Sequence, residues 1–386
     1  MGESFQFSTA GRIIFGCGRL TEIGEIAREF GTRAFVVTGS SVDRAAPLLE
    51  ILETNGVHAS TFPVDDEPTV ALAEEATRSA AASGAHLVIG IGGGSALDTG
   101  KAVSALITNG GDPRPFLEIV GEGLSLSKRP IPYLAVPTTA GTGTEVTRNA
   151  VLASKEHRVK VSLRSRMLIP DVALVDPELT LSVPPAVTAS TGLDALTQLI
   201  EPFLSRRRNP LIDGFCIVGI ERAGRSLRAA VNDGSNLAAR VDMSIASLLS
   251  GLALANSGLG AAHGFAGPFG GMYHAAHGAI CAALLPHTMQ VNLAAIESRG
   301  AEDDLRARFD RVGQLLTGRP EATAADGVSW LLELCRDLEV PGLDQFGLNP
   351  DEIPDLIEKA RVSSSMRGNP VELTHEELEQ IVERAR

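Results

Sequence analysis

Asp194 and Gln198 lie four residues apart in TGLDALTQLIEPF (191–203), a segment that is otherwise largely apolar. This spacing places both polar side chains on the same face of a helix. A carboxylate without a partner is unfavourable in an apolar core, so another group must compensate its charge. The segment therefore predicts that Asp194 has a capping or other hydrogen-bonding role, or that it binds a metal ion.

Four of the eight histidines fall in one glycine-rich stretch, namely His263, His274, His277 and His287. A lone histidine on an apolar face is usually a hydrogen-bonded core residue, whereas a cluster separated by small residues is typical of a site. An aspartate with two or three imidazoles suits Fe(II) or Zn(II). His274 and His277 are three residues apart and can share a helix face. We expect Asp194 to be the carboxylate partner of this cluster.

A glycine-rich loop follows the buried run AHLVIGIGGG and precedes a helix-like segment, and it contains Gly92, Gly93, Gly94 and Ser95. Glycines allow the backbone to approach a phosphate, and a helix N-terminus offers free N–H groups to it. The pattern is not the GxGxxG fingerprint of a standard Rossmann domain. It predicts a phosphate-binding loop, with a tight turn that holds no ligand as the alternative.

Further polar groups accompany this loop. Asp98 and Lys101 lie one and two turns into the following helix, where they reach a ribose or phosphate or form a solvated helix face. A second loop, PTTAGTGTE, follows another strand and supplies three hydroxyl groups from Thr138, Thr139 and Thr142. Ligands of open α/β sheets bind at the carboxyl ends of the strands, so both loops are expected to converge on one cofactor.

The tip of the strand RAFVVTG (33–39) bears on the choice of cofactor. This strand ends in Gly39 and Ser40, with no acidic residue at the tip. Sites selective for NAD usually carry an acid there to bind the ribose 2′-hydroxyl. Its absence leaves room for a 2′-phosphate, so we expect NADP or NAD.

The elements around these groups divide the chain in two. With 386 residues the chain is too long for one ordinary core. Strand-like and helix-like runs alternate in the first half, which predicts a doubly wound, mostly parallel sheet, and the second half is almost entirely helical. A helix cannot continue through Pro184 and Pro185. We therefore predict an α/β domain over 1–184 and an all-helical domain over 185–386.

Composition excludes several classes of protein. A formal net charge of -13 without a basic tract argues against a nucleic-acid partner. The four cysteines have no metal-ligand spacing and are interpreted as structural thiols in a reducing compartment. Neither a secretory signal nor an apolar run of about 18–20 residues is present, so we expect a cytoplasmic protein with no membrane span.

The ordered motifs of the whole chain resemble the iron-containing (group III) alcohol dehydrogenase family. They include GGGSALDTGKA, PTTAGTGTEVT, TGLDALTQLIEPF, GAAHGFAGPFGGMYHAAHGAICAALLPH and GNPVELTHEELEQI. The resemblance implies an N-terminal dinucleotide-binding α/β domain, a C-terminal helical domain and an active site in the cleft between them. It also implies NAD(P)-dependent interconversion of small alcohols with aldehydes or ketones, in a homodimer or larger homo-oligomer.

The same resemblance assigns individual residues. It adds Lys160, near the ribose, to the cofactor-binding set from the two loops. Its four metal positions correspond to Asp194, Gln198, His263 and His277.

Two positions depart from the family pattern. Gln198 replaces the usual histidine ligand, and Gly267 replaces a histidine that many members place near the nicotinamide. An amide oxygen is a weaker donor than imidazole, but three good ligands still permit a catalytic metal. His277 or His274 is expected to hydrogen-bond the substrate and relay the proton. His274 is alternatively a fourth ligand or a polar residue lining the cleft.

Three rival functions stay open. The first is a metal-independent enzyme that resembles the maleylacetate reductases, in which histidines alone polarise the carbonyl. The second resembles the dehydroquinate-synthase lyases, but it requires a basic cluster for a phosphorylated substrate and a carboxylate-rich metal site, which the helical half lacks. The third is a nucleotide-binding protein that has lost catalysis.

Overall fold

The computed structural model describes residues 4–273, 275–300 and 303–386. The chain forms two compact units. The first, the α/β unit, comprises Ser8–Thr139 and Gly143–Leu181. The second, the helical unit, comprises the chain up to Phe7, Ala140–Thr142 and Ser182–Arg386.

The α/β unit contains every strand of the described residues and four α-helices. The strands are β1 Arg12–Phe15, β2 Arg33–Gly39, β3 His58–Val64, β4 Leu87–Gly92, β5 Tyr133–Pro137, β6 Asn149–Ser154, β7 Val159–Arg164 and β8 Val172–Val175. The helices are α1 Ile23–Phe30, α2 Ala46–Thr54, α3 Val70–Ser83 and α4 Gly94–Leu106.

Six strands form one sheet in the order β1-β8-β5-β4-β2-β3, and all of its pairings are parallel. Successive side chains of a strand point to opposite faces, and here both faces are covered. Val36 and Ile89 pack with residues of α1 and α2, whereas Phe35 and Val88 pack with residues of α3 and α4. This confirms the predicted doubly wound parallel sheet.

Strands β6 and β7 form a separate antiparallel pair, with Asn149 opposite Arg164. Buried and half-buried residues alternate along β6, as expected for a strand with one covered face. The sequence analysis did not predict this hairpin. Strand β1, which has only four residues, was also missed.

The helical unit contains nine α-helices among the described residues. They are α5 Pro185–Leu204, α6 Pro210–Asn232, α7 Leu237–Asn256, α8 Ala261–Met272, α9 His277–Arg299, α10 Asp303–Thr317, α11 Ala324–Asp337, α12 Ile353–Val362 and α13 His375–Arg384.

Helix α5 lies at the centre of this unit. It begins at Pro185, whose missing N–H is not needed at the first position of a helix. Its residues from Leu193 to Leu204 are all buried, and its apolar side chains share a core with α6, α7 and α9. A buried helix of this kind keeps any polar side chain that it carries away from water.

Helices α7 and α9 are long and apolar enough to cross a membrane by length and composition alone. Most of the residues in their apolar stretches are buried inside the protein, as in the core helices of a folded domain.

Candidate functional site

Four side chains from three helices meet in the helical unit: Asp194 of α5, His263 of α8, and His277 and Cys281 of α9. Each offers one potential ligand atom, and these atoms all lie within 4.8 Å of one another. Asp194 Oδ1 is 3.5 Å from His263 Nε2 and 3.9 Å from His277 Nε2. Cys281 Sγ lies 3.7 Å from His277 Nε2. The structure thus gathers three predicted metal ligands and adds a cysteine that the sequence analysis had interpreted as structural.

Two atoms of this cluster are polar, buried and unpartnered. Asp194 Oδ1 and His263 Nε2 face each other, yet neither makes a hydrogen bond with any of the described residues. Buried polar atoms are nearly always satisfied, because leaving them unpaired is costly. A cation that both atoms face would satisfy them. A carboxylate, two imidazoles and a thiol are donors typical of a divalent transition metal, so these residues fit one.

Glu201 of α5 fixes the orientation of His263. Its Oε2 lies 2.7 Å from His263 Nδ1, and its Oε1 accepts a hydrogen bond of 2.7 Å from the amide of Ala262. A carboxylate on Nδ1 directs the other ring nitrogen towards the cluster, as in many metal sites. The sequence analysis missed Glu201. Its available signal was a spacing of seven residues from Asp194, which returns to the same face of α5.

The charges of the cluster favour a cation. Burial raises the pKa of Asp194, but its contact with His263 and the charge of His277 outweigh burial, so the pKa lies below its usual value. Burial lowers the pKa of His263, but the adjacent sulfur of Cys281, the charge of Glu201 and the contact with Asp194 raise it well above the usual value. Asp194 is therefore ionised at neutral pH, and its surroundings stabilise positive charge.

The start of α9 approaches α5 closely at Gly278. A Cβ atom at this position would lie 2.4 Å from the carbonyl oxygen of Ser190, a distance that real Cβ contacts do not reach. Only glycine permits this packing without a shift of the helix. Because His277 directly precedes Gly278, the same packing sets the distance between His277 and Asp194.

Gln198 uses its amide nitrogen in hydrogen bonds. Nε2 donates to the carbonyl of Thr142 at 2.9 Å and to the hydroxyl of Ser250 at 3.0 Å. The hydroxyl of Ser250 itself donates to the carbonyl of Ser247, so it accepts from Gln198. A carbonyl only accepts, which fixes the nitrogen of the amide on this side. Gln198 therefore anchors the segment Ala140–Thr142, and its role as a ligand stays a prediction.

The remaining histidine predictions fall elsewhere. His274 lies outside the described residues, so its three suggested roles, as proton relay, fourth ligand or polar residue lining the cleft, stay predictions. His287 lies further along α9, with Nδ1 3.3 Å from Gln290 Oε1, and is not part of the four-residue cluster. Gly267 lies within α8, and a Cβ added there would meet nothing within 4 Å.

In the α/β unit, the predicted phosphate loop joins β4 to α4. Gly92 ends the strand with a φ of 154°, a backbone conformation that favours glycine. Gly93 is the N-cap of α4 and provides no side-chain cap, and Gly94 and Ser95 begin the helix. The first N–H groups of α4 are therefore available for an anion.

The other predicted loops of this unit lie at the same edge of the sheet. Strands β2, β4 and β5 are adjacent and parallel, so their carboxyl ends lie side by side. Gly39 and Ser40 follow β2, and Thr138 donates its backbone N–H to the carbonyl of Gly92 at 2.9 Å. Thr139 contacts the position of Gly93. The structure thus brings the loops after three strands together.

Asp98 and Lys101 belong to an internal polar network. Lys101 Nζ donates to the carbonyl of Thr144 at 2.8 Å and to that of Asn149 at 2.8 Å. Asp98 accepts from the hydroxyl of Thr144 and from the amide of Val151. The alternative of a solvated helix face is wrong, because Lys101 is completely buried and Asp98 nearly so. Both residues hold the chain after β5 against α4.

Two further acids lie near predicted cofactor residues. Lys160 of β7 forms an ion pair with Glu67. Glu145 is buried, and burial raises its pKa to about 7 although the charge of Lys101 partly opposes this shift. The sequence analysis named neither acid. Direct contact of Lys101 or Lys160 with a nucleotide stays a prediction.

The chain matches known proteins over almost its whole length. The sequence model described as iron-containing alcohol dehydrogenase matches residues 10–177, and the C-terminal model of the Fe-containing alcohol dehydrogenase family matches residues 188–386. Alcohol dehydrogenase 4 of Saccharomyces cerevisiae is 32% identical over 378 residues, which cover 96% of each chain.

Solved structures give the same result. A 1,3-propanediol oxidoreductase superposes with a TM-score of 0.92 and 30% identity, covering 100% of both chains. A sulfoacetaldehyde reductase from Bifidobacterium kashiwanohense, in complex with NAD+, superposes with a TM-score of 0.87 and 28% identity. The match covers 99% of this chain and 98% of the reductase.

Proposed function

Since this chain belongs to the iron-containing alcohol dehydrogenase family and is an oxidoreductase acting on CH–OH groups, we propose that it transfers a hydride between a nicotinamide dinucleotide and a small alcohol, aldehyde or ketone. The observation that carries this proposal is the pair of unpartnered buried atoms, Asp194 Oδ1 and His263 Nε2, inside a cluster of metal-binding side chains. A core without a ligand has no reason to keep such atoms unsatisfied.

Asp194, His263 and His277 would hold a divalent metal, Fe(II) or Zn(II), which supplies Lewis-acid polarisation of the substrate oxygen when bound. Glu201 keeps the imidazole of His263 in the ligating orientation. The side chain of His277 is 36% exposed, whereas those of Asp194 and His263 are almost fully buried. His277 is therefore the member of the cluster best placed to approach a substrate and to take part in proton transfer.

The α/β unit would bind the nucleotide. Support comes from the uncapped N-terminus of α4, which lies at the same sheet edge as Ser40 and Thr139. Backbone N–H groups there suit a pyrophosphate. The tip of β2 carries no acid, which favours acceptance of NADP as well as NAD. We expect the protein to be a homodimer or larger homo-oligomer in the cytoplasm. The location of the active site in a cleft between the domains stays a prediction.

Oxidation of NADPH and NADH with a panel of small aldehydes and ketones tests the function. We expect turnover that is lost when a chelator removes the metal and that returns on addition of Zn(II) or Fe(II). Full activity in a metal-free protein would instead support the metal-independent type of enzyme. Failure to oxidise either nucleotide with any carbonyl compound, with metal bound, would contradict the dehydrogenase proposal.

A further inference from the structure

We propose that Cys281 is the fourth protein ligand of the metal, as a thiolate, and that Gln198 positions the neighbouring loop instead of binding the ion. This inference rests on the proposed metal-dependent function and specifies the site more closely. The metal centre is then formed by Asp194, His263, His277 and Cys281, and it takes a divalent transition metal with affinity for sulfur.

The first argument is the position of the sulfur. His277 and Cys281 are separated by one turn of α9, so their side chains lie on one face of the helix. Cys281 is completely buried, and its Sγ lies 3.7 Å from His277 Nε2. A buried cysteine alone is commonly a small apolar residue. Here it adjoins two buried atoms that lack partners among the described residues, Asp194 Oδ1 and His263 Nε2, which point to a ligand at this place.

The second argument is the spacing of the ligand atoms. Tetrahedral coordination with zinc–nitrogen bonds of about 2.0–2.1 Å and zinc–sulfur bonds of about 2.3 Å requires ligand atoms about 3.3–3.7 Å apart. His263 Nε2 and Asp194 Oδ1 are separated by 3.5 Å. His277 Nε2 and Asp194 Oδ1 are separated by 3.9 Å. All four ligand atoms lie within 4.8 Å of one another, so side-chain movements of about 1 Å bring them around one ion.

The third argument is charge. Two ionised ligands, Asp194 and Cys281, with two neutral imidazoles balance the charge of a divalent cation. An amide from Gln198 is neutral, so without the thiolate Asp194 would be the one anionic ligand, and only the more distant charge of Glu201 on His263 would help it to balance the ion. Binding forms a metal–sulfur bond and releases the thiol proton to solvent, so that atoms and charges balance. The thiolate also favours Zn(II) over Fe(II).

The fourth argument concerns Gln198. Its nitrogen is held by Thr142 and Ser250, which gives the side chain a role in positioning the loop. The family resemblance implies a histidine ligand at this position, where this chain has an amide. A thiolate from α9 restores a fourth strong donor.

Cobalt(II) is a direct probe, because a thiolate ligand gives a charge-transfer absorption in the near ultraviolet that nitrogen and oxygen ligands do not give. The full-length protein would be loaded with Co(II) alone. We expect the band in the wild type and in Gln198→Ala, and its loss in Cys281→Ala and Cys281→Ser. Cys335→Ala is the matched control, because Cys335 lies on α11 and its thiol donates to the carbonyl of Ala282 instead.

X-ray absorption at the zinc edge of the wild type needs no substitution and therefore avoids any failure of a variant to fold. We expect one sulfur neighbour at about 2.3 Å. Zinc with nitrogen and oxygen neighbours only, or a cobalt band that survives Cys281→Ala, would overturn the assignment of Cys281. In that case a protein that is still metal-dependent in the carbonyl assay would keep the proposed function. A wild type that binds neither cobalt nor zinc would overturn the metal centre itself.

Discussion

Glu201 Oε2 lies 2.7 Å from Nδ1 of His263, while the opposite ring nitrogen lies 3.5 Å from Asp194 Oδ1. One imidazole thus connects two carboxylates of the same helix, α5. The outer carboxylate selects the nitrogen that remains for a ligand.

Glu201→Gln tests this relationship. The amide keeps the size of the side chain but removes the charge that orients His263, so metal affinity should fall by about 10–100-fold. Competition with a chromophoric chelator measures the affinity. Glu333→Gln, at an exposed position of α11, is the control. Equal affinities in both variants would contradict the role of Glu201.

His277→Ala should abolish most turnover while nucleotide binding is retained. The substitution removes one ligand and the most accessible imidazole of the cluster, and a positioned proton-transfer group typically contributes about 10²–10⁴-fold. Steady-state kinetics and fluorescence titration with NADPH separate the two effects. Full activity in this variant would exclude His277 from the chemistry.

Two helical glycines should respond to alanine in opposite directions. Gly278→Ala places a methyl group against the carbonyl of Ser190, so we expect destabilisation of about 1–3 kcal/mol and weaker metal binding. Gly214→Ala meets open space at an exposed position within α6, so we expect stabilisation of about 0.5–1 kcal/mol from its higher helix propensity. Urea unfolding measures both. If the free energy of unfolding changed in the same direction in both variants, the close approach of α9 to α5 would not be what determines the effect of alanine.

Glu145 should make stability depend on pH. Burial raises its pKa in the folded protein to about 7, whereas its ordinary value is 4.5. The folded state therefore binds more protons than the unfolded state between these values, and this contribution to stability is lost as the pH rises through about 7. Glu145→Gln should remove that loss. As the pH rises from 5 to 8, the free energy of unfolding of this variant should therefore increase by roughly 2–3 kcal/mol relative to that of the wild type.

Urea unfolding at several pH values checks this expectation, and Glu156→Gln, an exposed position of the same unit, is the control. Parallel pH profiles of the wild type and Glu145→Gln would show that the buried carboxylate does not titrate in this range.

The sequence by itself determined most of the fold. Continuous apolar runs such as LVIGIG, bounded by glycine, correctly predicted central strands of a parallel sheet, because such strands are covered on both faces. The helical second half and the glycine loop before α4 were likewise predicted. The hairpin of β6 and β7 and the short β1 were not, since a few residues of alternating polarity carry little periodic signal.

The sequence also identified which residue types could bind a metal, because Asp194 and the histidines stand out in apolar surroundings. It did not identify Cys281 or Glu201, and it did not distinguish a buried Lys101 from a solvated one. Those outcomes depend on which helix face meets which neighbour. Only the packing of α5 with α8 and α9 brings side chains nearly 90 positions apart within one coordination distance, because long-range contacts, and not local spacing, decide which atoms share a buried site.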